Sequence, residues 1–265
     1  MRRATRWVLV VSLLLFTALP AFAQASIRGA WIAEVDGARH IYIFKVKGDA
    51  VTGTHCSRCD EVENISIIRN GRIAGDRLSF TLLSSQANGQ WREQRVEGSI
   101  GSGGIVLRGV GPGKTEHRLA RGERPARPAP ATAAPAAPAP PPYVAPGPPE
   151  PLTLAAMAGT WISGTGPRAQ IAMLKVLDGK LVGLICGPCD APWVMAPIED
   201  GTIEGERVTI YTVHEDGGGM FEKLGPYRNA LAGTVAKHQF RIRAHVDGKP
   251  DGNVINMTFI GPVGK

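Results

Sequence analysis

Ile41-Tyr42-Ile43-Phe44-Lys45-Val46 runs through Gly48-Asp49 into Val51-Thr52-Gly53-Thr54 and then into Cys56-Ser57-Arg58-Cys59-Asp60. The same order returns 130 positions later as Ile171-Ala172-Met173-Leu174-Lys175-Val176, Asp178-Gly179, Leu181-Val182-Gly183-Leu184 and Cys186-Gly187-Pro188-Cys189-Asp190. With that shift, residues 27–80 lie on 157–210 without insertion or deletion, and Trp31/Trp161, Lys45/Lys175, Asp60/Asp190 and Arg77/Arg207 superpose. Short apolar runs punctuated by turn residues every eight to twelve positions, with no sustained helical period, predict antiparallel strands. Asn70-Gly71 and Asp200-Gly201 read as tight hairpin turns, because both dipeptides tolerate positive φ. Further strands are expected near 78–82, 92–100, 105–110 and 115–120, and near 208–211, 228–236, 239–246 and 253–260. The chain is therefore expected to be all-β, with two homologous antiparallel meanders or small barrels; closure leaves no exposed sheet edge.

Outside the repeats the composition changes twice. Arg2, Arg3 and Arg6 precede an apolar run from Trp7 to Leu19 and a small-x-small site at Ala21-Phe22-Ala23, so residues 1–23 read as an export signal. Residues 24–124 form the first repeat and 152–265 the second. Between them, residues 125–151 hold 12 of the chain's 21 prolines and are otherwise mostly Ala. Such a segment buries no core and is expected to be a disordered, extended spacer, spanning up to roughly 80 Å at about 3.1 Å per residue. The formal charge of +7 includes the three signal arginines. No basic stripe interleaved with aromatics argues for nucleic acid, and no further segment is apolar enough to cross a membrane as a helix. A periplasmic or secreted protein without a transmembrane segment in its mature chain is expected.

Gly29-Ala30-Trp31 and Gly159-Thr160-Trp161 each open the first strand of a meander of about eight strands. They resemble the Gly-x-Trp signature of lipocalin-like (calycin-like) barrels. That resemblance implies a barrel-end aromatic, Trp31 or Trp161, with an Arg from a late strand packed over it. Arg118 is the candidate partner in the first repeat. Without the resemblance, each Trp also reads as a filler of a β-sandwich core.

The cysteines admit three readings. Cys56 with Cys59, and Cys186 with Cys189, suit a local disulfide across a turn, since turn ends lie within disulfide reach. The four thiolates together suit a zinc site, although 126 residues separate the pairs and the chain would have to fold back. Cys186-Gly187-Pro188-Cys189 also matches the residues of a thiol–disulfide active site, yet no helical pattern follows it. The exported location favours structural disulfides. His55 precedes the first pair but is replaced by Ile185 in the second, so a repeated Cys/His metal site fails, and His55 reads as a lone surface residue.

Asp60, Asp190, Arg77 and Arg207 are candidates for a charged ligand rim, or for turn capping and surface packing. Lys45 and Lys175, mid-strand among apolar residues, either face solvent or point into a cavity to anchor an anion. No nucleophile elbow, carboxylate pair or repeated catalytic set is present, and His214-Glu215-Asp216 beside Gly217 reads as a polar hairpin tip. The expectation is a non-enzymatic binding protein without cofactor or metal. It would hold a small apolar ligand, an envelope component or a protein partner. A periplasmic thiol–disulfide or metal-binding protein and a structural envelope spacer are the alternatives. Differences between the copies, His55 and the loop near Gly217 among them, are where specificity is expected.

Overall fold

The computed structural model describes residues 27–86, 90–122, 152–164, 169–187, 189, 191–205, 207–214, 227–236, 239–246 and 249–261. The export signal, the Pro/Ala-rich segment, Asp190 and residues 215–226 lie outside them. The first repeat comprises β1 (Gly29–Val35), β2 (Ala38–Lys47), β3 (Ala50–Cys56), β4 (Ile65–Ala74), β5 (Arg77–Ser85), β6 (Trp91–Gly101), β7 (Gly104–Val110) and β8 (Thr115–Arg121). The second comprises β9 (Gly159–Ser163), β10 (Gln170–Leu177), β11 (Lys180–Cys186), β12 (Met195–Glu204), β13 (Arg207–His214), β14 (Tyr227–Ala236), β15 (Gln239–Val246) and β16 (Lys249–Gly261). Each set is an antiparallel meander whose first and last strands also pair, so both sheets close into barrels. No described helix is long and apolar enough to cross a membrane.

Alternation along the strands fills the barrels. Tyr42, Phe44 and Val46 of β2 point inward with Trp31, Phe80 and Leu107, while Leu174, Ile198 and Phe240 fill the second barrel. Gly53 shows why closure needs glycine: at φ +150°, a Cβ would lie 1.9 Å from the carbonyl oxygen of Ile43, and Gly183 repeats this against Met173. Asn70-Gly71 is not a hairpin turn. It lies inside β4, with Asn70 at φ 54° and the register shifting on both neighbouring strands. Asp200-Gly201 likewise falls inside β12 beside a register shift. Both are bulges that bend a long strand around the barrel.

The barrels are not held apart. The outward residues of β2, β3 and β4, including Ile41, Ile43 and Ile65, join Met173, Leu184 and Met195 in one buried apolar cluster. Strand β11 lies on β4 and β12 on β3, the exchange expected of an approximate two-fold between the copies. The two barrels therefore touch rather than standing up to roughly 80 Å apart, whatever the path of residues 125–151, which lie outside the described residues. The run from Ile41 to Val46 is apolar on both faces because it is buried on both.

Candidate functional site

Each barrel has one end plugged by its tryptophan. Trp31 Nε1 donates to the carbonyl of Ile27 at 2.8 Å, and Trp161 Nε1 to that of Met157 at 2.9 Å. Arg121, which pairs with Trp31 across the β1–β8 seam, places its guanidinium 5.2 Å from the ring centroid. Arg118, the expected partner, is instead exposed and pairs with Glu116. It lies one step out of phase, because strand residues face the barrel interior only at alternate positions. In the second copy Phe259 takes the place of Arg121 and packs on Trp161 at 5.1 Å.

The opposite end of the first barrel is open. A cavity of about 580 Å³ reaches in from the β1–β2 and β7–β8 turns, between Leu82, Ser84 and Gln94 on one side and His40, His55 and His117 on the other. This is within the usual range of a small-molecule site. The histidines come from β2, β3 and β8, and their rings gather round Tyr42. His40 and His55 stack at 5.3 Å, His40 and His117 meet edge-on at 4.5 Å, and Tyr42 lies 4.4 Å from His55. Tyr42 Oη is 2.8 Å from His117 Nδ1, and His40 Nδ1 is 3.1 Å from His55 Nε2. His55, expected at the surface, is buried, because its place on β3 faces the barrel interior beside Tyr42.

Burial decides the charge of these rings. It lowers His55 well below the usual imidazole range, with the neighbouring His40 and His117 adding repulsion. Burial brings His117 down to about 4, reinforced by His40 and opposed by Asp36. His40 is lowered for the same reason, against the pull of Glu34 and Asp36. Burial also raises the Tyr42 phenol, which keeps its proton. The cluster is therefore neutral at neutral pH. Among the described residues no three His, Cys, Asp or Glu side chains are arranged to hold a metal ion.

The two copies diverge here. Tyr42 and His55 correspond to Ala172 and Ile185, and His40 to Gln170. Counting back from Trp-facing Arg121 and Phe259, His117 corresponds to Ile255. His40, Tyr42 and His117 belong to no motif in the sequence. Their signal is the lack of a matching polar residue in the other copy at Tyr42, His55 and His117.

The other candidates lie elsewhere. Cys56–Cys59 and Cys186–Cys189 are disulfides with Cα atoms 5.2 Å apart. Both sit at the barrel–barrel junction, where Cys186 Sγ lies 3.9 Å from the carbonyl oxygen of Cys59. Lys45 and Lys175 both reach across to the other barrel and clasp the two together. Lys45 meets Glu199 at 2.6 Å. By two-fold symmetry Lys175 would meet residue 69, but that is an arginine. Lys175 donates instead to the Ile65 carbonyl and the Ser85 hydroxyl, each at 2.6 Å, and Arg69 turns to Asp178 and Glu93. Burial lowers Lys175 to about 8, partly offset by Glu63.

Arg77 and Arg207 are exposed at strand starts. Asp60 is exposed and makes no side-chain hydrogen bond among the described residues, so it does not cap its turn; Glu61 N–H closes that turn onto the Arg58 carbonyl. Compared with known proteins, the chain matches no family model, no curated protein and no solved structure.

Proposed function

We propose that the protein is an exported, non-enzymatic binding protein that holds a small molecule in the mouth of the first barrel. The second barrel is its packing partner rather than a second site. The observation that carries this reading is the 580 Å³ cavity whose deep wall holds three clustered imidazoles absent from the sister copy. A ligand with a polar group suits this mouth better than a wholly apolar one, since histidine, serine, threonine and glutamine stand among its lining residues. Arg121 over Trp31 supports a lipocalin-like barrel, in which the plugged end leaves the other end for ligand. The two disulfides suit an oxidising compartment outside the cytoplasm. Burial of Cys56, Cys59 and Cys186 at the junction, with Cys189 partly buried beside them, disfavours thiol–disulfide exchange, which needs an accessible sulfur. Direct packing of the barrels disfavours a spacer role.

Native mass spectrometry of the protein purified from its own host, followed by a thermal-shift ligand panel, tests the reading. A retained small molecule, or a shift that is lost in His55→Ile and kept in Gln170→Ala, supports it. No retained mass and no shift with any ligand would sink it, as would a response that His55→Ile leaves intact.

A further inference from the structure

The hydrogen bonds of the mouth fix where its protons sit. Thr115 Oγ1 donates its single proton to the Val110 carbonyl at 3.0 Å. Its 3.1 Å contact with His117 Nε2 must therefore be one it accepts, so Nε2 of His117 carries the hydrogen. The Nδ1 lone pair of neutral His117 then accepts from the Tyr42 hydroxyl. That relay is closed and offers nothing to a ligand.

The His40–His55 contact holds one proton between Nδ1 of His40 and Nε2 of His55. Nδ1 of His55 is buried without a partner. If His40 supplied the proton, both rings would take the Nδ1–H form and His55 would bury an unpaired N–H. If His55 supplies it, both rings take the Nε2–H form that free histidine prefers, and only a lone pair is left unmatched. The second arrangement is the better one. It leaves Nε2–H of His40, on a ring that lines the cavity, as a donor with no hydrogen-bond partner among the described residues.

The rest of the lining narrows the ligand. The Gln94 amide is used on the turn, binding the carbonyls of Gly109 and Gly111 and accepting from Gly111 N–H. Ser66 and Ser84 hydroxyls bond each other at 2.7 Å, which uses one of their two protons and leaves the other hydroxyl a neutral donor. Among the described residues Arg92 is the one cation lining the cavity, and it lies exposed at the rim, where Asp36 and Glu63 also stand. A buried anion would find no cation beside it, and the desolvation of an unpaired charge is severe.

Resting on the binding function proposed above, we propose that the ligand is an uncharged molecule that presents a carbonyl-type oxygen to Nε2–H of His40, and that carboxylates and phosphates are excluded. The test uses the full mature chain with ¹⁵N-labelled histidines and fragments in matched sets of primary amide, carboxylate and amine on one scaffold. Long-range ¹H–¹⁵N spectra are expected to show His40 and His55 as Nε2–H. Amides are expected to bind at least about tenfold more tightly than their carboxylates, which would bury an unpaired charge, and to move the His40 Nε2 resonance. His40→Ala should weaken amide binding about tenfold, the size of one hydrogen bond, and His40→Gln, which keeps a donor, should restore part of it. Carboxylates or amines binding as well as amides, or Nδ1–H forms at His40 and His55, would overturn the inference while leaving a binding function standing. Binding by no fragment of any class would remove both.

Discussion

His55 and Lys175 carry the strongest consequences at the scale of single residues, because each is a titratable group with almost no access to water. Holding His117 at about 4 and His55 lower than its usual range means the unfolded chain binds more protons once pH falls below 6.5. Stability is thus full at neutral pH and declines as pH drops from 6.5 towards 4. Urea midpoints at about pH 7.5 and about pH 5 check this, and equal midpoints would mean that the imidazoles are not held neutral by burial. At the junction, Lys175→Ala strands the Ile65 carbonyl and should cost about 1–3 kcal/mol. Lys45→Ala removes a pair whose side chains are 31% and 23% exposed, so the loss should stay below about 1 kcal/mol. Equal losses in denaturant melts would contradict the asymmetry of the clasp. Neither lysine's role is legible in the sequence, because a mid-strand lysine has the same local pattern whether water or another barrel lies opposite.

Strands and turns are largely legible from residue pattern alone. Expected strands at 92–100, 105–110 and 239–246 meet β6, β7 and β15 within a residue or so at each end. Period-two alternation and turn chemistry are local properties, and a meander uses little else. Asn70-Gly71 marks the limit. Positive φ serves a bulge as well as a hairpin, and whether Asn70 turns the chain or bends a strand depends on the strands beside it. The disulfides belong to this scale as well, each closing the turn after a strand end. Replacing Cys56 and Cys59 together by Ala, which adds no polar group to the buried junction, should lower stability by about 2 kcal/mol, the loop-closure value for so short a ring. A loss several times larger in calorimetry would mean that the cysteines do more than clamp the turn.

At the scale of the whole molecule, the barrels form one body through the outward apolar residues of β2–β4 and of β10–β12. A protease site placed within residues 125–151 tests this. After cleavage the two halves should co-elute in size exclusion, held by Ile41, Ile43 and Met173 with their neighbours and by the Lys45–Glu199 pair. Two separate peaks would refute the shared core. The run Ile41–Val46 marks a strand with two apolar faces, yet apolar residues on a strand do not name what covers them. Duplication, all-β class, strand order and the cysteine pairing follow from contacts close in sequence, which one copy repeats for the other to confirm. The docking of the copies, the clasp lysines and the gathering of His40, His55 and His117 arise from residues up to 154 positions apart. Only closure and packing bring those together, so only the tertiary structure shows the three imidazoles lining one cavity.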